Sequence, residues 1–204
     1  MTVKELKPEE KDMLTNRTEY LTSGVHIGMK LCTKYMKRFI YKVRDDGLSV
    51  FNIQKVDERI RVAGDFVSRF DKILVVSRKN NGIKAIEKFA EVIGGTAVSG
   101  RFSPGTLTNP SFRKFYEPDI IIVVDPLIDR QAVEEAKRKR IPIVALCDTF
   151  NDGVNVDYAI PINNNGKKAI ALVFMLLARE ILKKKKKITK NEEFKYTLND
   201  FGGE

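Results

Sequence analysis

The sequence has few of the side chains that commonly hold metals or form disulfides. Its 204 residues include two cysteines, Cys32 and Cys147, and one histidine, His26. The cysteines lie far apart and form no Cys-x-x-Cys spacing, which excludes a cysteine-based metal site and predicts reduced thiols in a cytosolic protein. His26 has no acidic residue or cysteine beside it, so a packed, structural histidine is favoured over a metal ligand or a general base. We therefore predict no bound metal or cofactor.

Patterns typical of phosphate loops and membrane spans are also missing. Neither the Walker pattern, Gly-x-x-x-x-Gly-Lys followed by Ser or Thr, nor the dinucleotide pattern Gly-x-Gly-x-x-Gly occurs in the chain. The longest apolar run, residues 169–178, is too short to span a bilayer, and the polar residues 1–10 do not resemble a signal peptide. We expect a soluble, cytoplasmic protein without a membrane partner.

Basic residues outnumber acidic ones by a wide margin. The chain has 37 Lys and Arg against 27 Asp and Glu, which gives a formal net charge of +10 and an isoelectric point near 9.5. An excess of this size predicts a polyanionic partner, and nucleic acid is the first candidate.

Continuous apolar, β-branched runs predict strands that are buried on both faces, as in a parallel sheet. The runs at 120–124 and 143–147 are of this kind, and a helix capped by Asp129 connects them as a right-handed crossover. Further strands are predicted at 73–76, 96–98 and 158–160, and further helices from Asp57, at 83–93 and after 163–165. The predicted fold class is α/β, with a three-layer, doubly wound, flavodoxin- or Rossmann-like sheet that is mostly parallel.

The same pattern divides the chain into a domain and two extensions. Residues 24–182 are predicted to form a single α/β domain, and residues 1–23 an N-terminal helical arm whose helix runs from Pro8 to Leu21. Residues 183–204 begin with five consecutive lysines, which we expect to lie in solvent or against phosphates. The rest of this tail is predicted to be flexible, with aromatic residues that dock on a partner.

Basic and aromatic residues alternate between Lys34 and Arg44. Asp45, Asp46 and Gly47 follow, and then a second extended run at 48–53. An Asp-Gly turn between two extended runs predicts a β-hairpin, and cations interleaved with aromatics suit a nucleic-acid backbone. A solvated edge strand that is protected by its lysines explains the pattern equally well.

The loop at 99–110 combines two glycines and two prolines with hydroxyl and amide side chains. One interpretation is contact with a sugar-phosphate backbone or stacking on an exposed base. The residues for it are Arg101, Phe102, Arg113 and Lys114, with Thr106, Thr108 and Asn109 as hydrogen-bonding groups. The other interpretation is a structural Ω-like loop that needs no ligand.

Charge and position together nominate a set of RNA-binding residues. They are Lys34, Lys37, Arg38 and Lys42 on the hairpin, Arg78 and Lys79 at a strand end, and Arg101, Arg113 and Lys114 around the loop.

Asp125 and Asp148 each follow a predicted buried strand, at the edge where parallel sheets usually bind ligands. One interpretation is that both are ordinary turn and capping residues. The alternative is that they belong to an enzyme that acts on a phosphorylated sugar or nucleotide with the help of a divalent cation. The turn interpretation is favoured because the chain supplies neither a base nor a phosphate loop to work with them.

Six blocks of sequence resemble the S-two family of small-subunit ribosomal proteins, whose eukaryotic members are called SA or laminin-receptor-like. They cover nearly all of the predicted domain, in the order found in the family. The blocks are GVHIG at 24–28, FIYKVRDDGLSVFNIQKVDERI at 39–60, GRFSPGTLTNP at 100–110, PDIIIVVDP at 118–126, EAKRKRIPIVALCDT at 135–149 and VDYAIPINNNGKKAIALVFMLLARE at 156–180.

Departures from the family pattern identify the archaeal type. Bacterial members have a second histidine where this chain has Met29, and a coiled-coil insertion where only a few residues join Asn109 to Asp119. The long acidic tail of eukaryotic members is absent. The resemblance implies a non-enzymatic constituent of the small ribosomal subunit, bound to small-subunit rRNA and neighbouring ribosomal proteins, close to where mRNA leaves.

Overall fold

A five-stranded sheet forms the centre of the protein, which a computed structural model describes over residues 13–188 and 193–203. In chain order the elements are α1 (Arg17–Thr22), a 3₁₀ helix (Met36–Phe39), β1 (Ile40–Val43), β2 (Ser49–Phe51), α2 (Ile53–Ser68), β3 (Ile73–Ser77), α3 (Asn80–Ile93), β4 (Thr96–Ser99), β5 (Ile120–Val123), α4 (Arg130–Lys139), β6 (Ile143–Cys147), β7 (Tyr158–Pro161) and α5 (Lys167–Lys184).

The sheet has the order β4-β3-β5-β6-β7, and every neighbouring pair is parallel. Numbered within the sheet this is the order 2-1-3-4-5, the flavodoxin-like form of the doubly wound fold. All residues of β3, β5 and β6 are buried, as the apolar runs that make up nearly all of these strands predict for strands covered on both faces. The predicted fold class is therefore confirmed.

Helices cover both faces of the sheet. From β3 the chain crosses to one side through α3, and from β5 it crosses to the other side through α4, so right-handed connections place these two helices on opposite faces. Helix α5 lies between α2 and α3, and its Phe174 ring packs on Phe89 with 5.0 Å between the ring centroids. This central position explains why α5 is apolar on several sides.

The predicted hairpin is present as the antiparallel pair β1 and β2, with Gly47 at a φ of 82° in the turn. The first predicted strand was too long, however. Residues 36–39 form the 3₁₀ helix instead, because Met36 and Phe39 are both buried and a spacing of three residues brings side chains to one side of a helical turn. Lys34, Lys37 and Arg38 therefore precede the hairpin strand rather than lie on it.

Asp57 does not cap α2, contrary to the sequence prediction. The helix begins one turn earlier, where the Asn52 side chain accepts a hydrogen bond from the backbone N–H of Gln54 at 3.0 Å. Asp57 is buried inside the helix and accepts hydrogen bonds from the Leu14 N–H at 2.8 Å and the Tyr20 hydroxyl at 2.9 Å. This carboxylate thus attaches the N-terminal segment to the domain.

The N-terminal helix is shorter than the sequence predicts. Residues 13–16 are not helical, α1 covers only Arg17–Thr22, and the predicted start at Pro8 lies outside the described residues.

The C-terminal tail packs on its own domain where it is described. Phe201 is buried, Phe194 and Tyr196 form an edge-on aromatic pair, and the Lys88 ammonium of α3 lies 4.9 Å from the Tyr196 ring centre. Burial of these aromatic rings offsets the conformational entropy that is lost when the tail becomes ordered.

Three of the five lysines in the run make contacts within the protein, whereas Lys186 and Lys187 are exposed, as the sequence predicts. Lys183 contacts Glu180 at 2.6 Å, Lys184 contacts Asp65 at 3.1 Å, and Lys185 donates a hydrogen bond to the Phe70 carbonyl at 2.8 Å.

Within the described ranges, no helix has the length and apolar character that a membrane crossing requires.

Replacing Tyr20 by Phe should lower the free energy of unfolding by about 1–2 kcal/mol, because the buried Asp57 carboxylate then loses its hydroxyl donor. Tyr41→Phe is the matched control, since the Tyr41 side chain is 70% exposed and the same change should be nearly neutral there. Urea unfolding of both variants measures the difference, and equal stability of the two would contradict this role of Asp57.

Candidate nucleic-acid interface

The four basic candidates near the hairpin all have exposed side chains. They are Lys34, Lys37, Arg38 and Lys42. The Arg38 guanidinium lies over the rings of Tyr35 and Phe39, at 4.0 and 4.8 Å from their centres. These contacts hold the cation in place while leaving its charge at the surface.

Arg101 and Lys114 lie on one surface groove beside the edge strand β4. The groove encloses about 440 Å³ and is lined by β4 residues together with Phe115 and Tyr116. Arg113, next to Lys114 in sequence, is exposed as well. The structure thus brings together the basic residues on both sides of the loop, which are separated by thirteen positions in the chain.

The loop itself is organised from within by Glu135 of α4. Its buried carboxylate accepts hydrogen bonds from the backbone N–H groups of Gly105 at 2.8 Å and Leu107 at 3.0 Å, and from the Thr108 hydroxyl at 3.3 Å. Burial on its own raises the pKa of Glu135, but these hydrogen bonds and one from Gln131 outweigh it, so the pKa lies below the usual value.

The base-stacking interpretation of this loop is corrected by the burial of Phe102, which is 5% exposed. The predicted hydrogen-bonding groups are also used internally: the Thr106 hydroxyl donates to the Ser103 carbonyl, and the Asn109 side chain accepts from the Ser111 N–H. The loop therefore matches the structural, Ω-like interpretation, and Arg101 is exposed at its rim.

Lys79 points into the protein, unlike the other candidates. Its ammonium lies 2.7 Å from Asp125 Oδ2, 2.7 Å from Asn164 Oδ1 and 2.8 Å from Asn165 Oδ1. The Lys79 side chain is 11% exposed and that of Asp125 is 0% exposed. A carboxylate so deeply buried needs a cationic partner, and Lys79 supplies it. Arg78, one residue earlier, has an exposed side chain.

Asp125 and Asp148 stabilise turns, as the favoured interpretation predicts. Asp125 Oδ1 accepts hydrogen bonds from the Leu127 N–H at 2.9 Å and the Asn151 amide at 3.2 Å. Asp148 accepts from the Thr149 N–H at 2.6 Å and the Asn165 amide at 3.0 Å. All four carboxylate oxygens therefore contact partners within the chain. Among residues 13–188 and 193–203, no three His, Cys, Asp or Glu residues are grouped so that they could hold a metal.

Asp129 belongs to the same edge of the sheet but has a different environment. Its Oδ1 accepts the Arg78 N–H at 3.0 Å, whereas its Oδ2 is buried and has no hydrogen-bond partner in the described part of the chain. Burial raises the pKa of Asp129 to about 6, and it raises the pKa of Asp148 to about 6 as well.

A second groove lies between the N-terminal segment and the hairpin, and we call it the arm–hairpin groove. It encloses about 570 Å³. Its lining residues are Met13, Arg17, Leu21, His26, Tyr41, Lys42, Arg44, Val50, Phe51, Asn52, Ile53 and Gln54. Of these, sequence reasoning selected only Lys42. The alternation of aromatic and basic residues at 41–44 was the available signal for Tyr41 and Arg44.

His26 is half-buried at this groove, and its Nδ1 lies 3.4 Å from the Tyr20 carbonyl oxygen. The histidine therefore connects the groove to the segment that Asp57 attaches to the domain.

These features define a basic protein of the doubly wound α/β class whose buried carboxylates hold loops and turns. A family model described as Ribosomal protein S2 matches residues 20–114 and 112–184. The chain belongs to the ribosomal protein S2 family, which is the S-two family that the sequence blocks resemble.

Close relatives come from several archaea, which confirms the archaeal type. The chain is 47% identical over 194 residues to a small ribosomal subunit protein uS2 of Thermoplasma acidophilum, covering 94% of this chain and 98% of the relative. It is 50% identical over 182 residues to that of Korarchaeum cryptofilum, covering 88% and 84%. It is 52% identical over 166 residues to that of Ignicoccus hospitalis, covering 80% and 78%.

Replacing Lys79 by Met should destabilise the protein by roughly 3–5 kcal/mol, because Asp125 would keep a buried charge without a counter-ion. The double variant Lys79→Met/Asp125→Asn should recover much of this loss, and Lys42→Met, at an exposed position, should cost little. Urea unfolding tests all three. An unchanged stability of Lys79→Met together with weaker RNA binding would instead support the original assignment of Lys79.

Asp129 should make the protein less stable at neutral than at acidic pH. Its pKa is about 6 in the folded state against 3.8 for an ordinary aspartate, so the folded state binds more protons between these values. Protonation of Asp129 therefore stabilises the folded state. This stabilisation is complete below pH 4 and is lost as the pH rises through 6.

Asp129→Asn should remove this loss while the new amide oxygen still accepts the Arg78 N–H. The free energy of unfolding of the variant, relative to the unmodified chain, should rise between pH 5 and pH 8 by about 1.4 kcal/mol. Asp45→Asn, at an exposed position, serves as the control. A pH-independent difference for Asp129→Asn would show that Asp129 is ionised throughout this range.

Proposed function

We propose that this protein is a structural constituent of the small ribosomal subunit, where it binds small-subunit rRNA and neighbouring ribosomal proteins. The observation that carries the proposal is the family match, which spans almost all of the folded domain. Relatives that align over most of both chains bear the name small ribosomal subunit protein. The protein then works in the cytoplasm as part of the subunit, without a catalytic role.

The proposed binding mechanism is electrostatic. Exposed Lys and Arg side chains displace counter-ions from phosphates, and the rigid sheet fixes the distances between the cations. Reading of base sequence contributes little here, because double-stranded RNA hides its base edges in a deep, narrow groove. The net charge of +10 supports a polyanionic ligand.

Eight of the nine sequence candidates have exposed side chains that suit this mechanism. The proposed contact residues are Lys34, Lys37, Arg38, Lys42, Arg78, Arg101, Arg113 and Lys114. Lys79 is left out because its ammonium is held by Asp125. We infer that it acts indirectly, by stabilising the strand end that carries Arg78.

The family resemblance supports a more specific position. The protein would lie on the solvent side of the subunit near the junction of head and body, with mRNA passing nearby as it leaves. Its neighbours there would be other small-subunit proteins.

The first test is sedimentation of a native lysate in a sucrose gradient, with the fractions probed for this chain at low and at raised salt. The protein should migrate with the small subunit at low salt and move to the light fractions at high salt, since counter-ion release makes the contacts salt-dependent. Recovery only in light fractions at low salt would reject a ribosomal role.

The double variant Lys37→Glu/Arg38→Glu should reduce incorporation into the subunit several-fold while the fold stays intact, because both side chains are exposed. The control variant is Arg138→Glu/Lys139→Glu on α4, which makes the same charge change outside the proposed contacts. It should be incorporated into the subunit better than Lys37→Glu/Arg38→Glu. Circular dichroism checks the fold of each variant. Equal incorporation of the two would assign the effect to net charge alone.

A further inference from the structure

The arm–hairpin groove has the composition of a pocket for an unstacked nucleotide. We propose that it binds one ribonucleotide of a single-stranded RNA segment, with the base on the Tyr41 ring and the flanking phosphates on the surrounding cations. The proposal rests on the proposed function in taking RNA as the ligand. It goes further in naming a pocket, a single-stranded segment and a stacking residue.

The size and lining of the groove suit one base. Its volume of about 570 Å³ lies within the range of roughly 300–1,000 Å³ that is typical of small-ligand pockets. Leu21, Val50 and Ile53 contribute apolar surface, while His26 and Asn52 contribute polar groups that can bond to a base edge. The groove therefore combines apolar and polar surface, which suits a nucleobase, since the faces of a base are apolar and its edges form hydrogen bonds.

The charge of the lining selects an anion. Lys42 and Arg44 are among the twelve lining residues, and none of the twelve is Asp or Glu. Arg44 forms an ion pair with Asp46 at 3.4 Å, but both side chains are about half exposed. Such an exposed pair is worth little, so a phosphate can replace Asp46 as the partner of Arg44.

Tyr41 supplies the stacking surface. Tyr41 lines the groove and is 70% exposed, although it is a large aromatic residue on a strand. Bases of a single strand stack readily on exposed aromatic rings, because every base has a π-face. Bases inside a duplex present no free face, so the groove should distinguish single-stranded from double-stranded RNA.

An engineered tryptophan can report the stacking directly, since the chain contains none. In Tyr41→Trp, a mixed-sequence single-stranded RNA of about eight nucleotides should quench the fluorescence. A blunt duplex of the same length should quench it far less. Val62→Trp, on the exposed side of α2 and outside the groove, is the control and should respond to neither RNA.

Affinity measurements complete the test. Tyr41→Ala should lower the affinity for the single strand by roughly tenfold without changing duplex binding, and Tyr41→Phe should keep the affinity because it retains the ring. An acidic peptide of equal length should compete only weakly. Competition by that peptide as strong as by RNA would show that the groove recognises negative charge alone, and would overturn the proposal.

Failure of this pocket can be told apart from failure of the ribosomal role. If Tyr41→Ala binds the single strand as well as the unmodified protein does, or if Tyr41→Trp is not quenched, the pocket is overturned whatever the sedimentation result. If the chain stays in the light fractions but Tyr41→Trp is quenched by the single strand, the ribosomal role fails and the pocket stands.

Discussion

The ion pair between Lys79 and Asp125 is the constraint on which the carboxyl edge of the sheet depends. Strands β3 and β5 are direct neighbours, with Val76 opposite Val123, so the residues that follow them meet at one place. Asp125 is fully buried there, and its charge is acceptable only because the Lys79 ammonium lies 2.7 Å away. Asn151, Asn164 and Asn165 complete the cluster with hydrogen bonds to its charged groups.

This cluster occupies the position where doubly wound proteins commonly bind a ligand. The edge of the sheet at which the strand order reverses forms a crevice in such folds. Here a lysine side chain and asparagine amides fill the crevice, and the carboxylates that resembled catalytic residues hold turns instead. The fold therefore provides rigidity at this edge, which suits a protein whose proposed role is to present cations at fixed distances.

Buried carboxylates on helices attach the irregular segments to the domain in the same way. Asp57 of α2 accepts hydrogen bonds from the N-terminal segment, and Glu135 of α4 accepts them from the loop after β4. Each attachment positions a basic surface: the first supports the arm–hairpin groove, and the second supports the rim that carries Arg101. Acidic residues thus organise a protein with a net positive charge.

The sequence by itself determined the fold class, the family and the sign of the charge. Strands buried on both faces leave continuous apolar runs, and the family blocks keep their order along the chain, so both signals are local and readable. Only the tertiary structure decided which charged groups face inward. Lys79 and Lys37 look alike in sequence, yet Lys79 meets Asp125, which lies 46 positions away, while Lys37 stays exposed. The arm–hairpin groove likewise exists only where α1 and β1 come together. Neighbours of this kind depend on the packing of distant segments, which no local pattern of residues encodes.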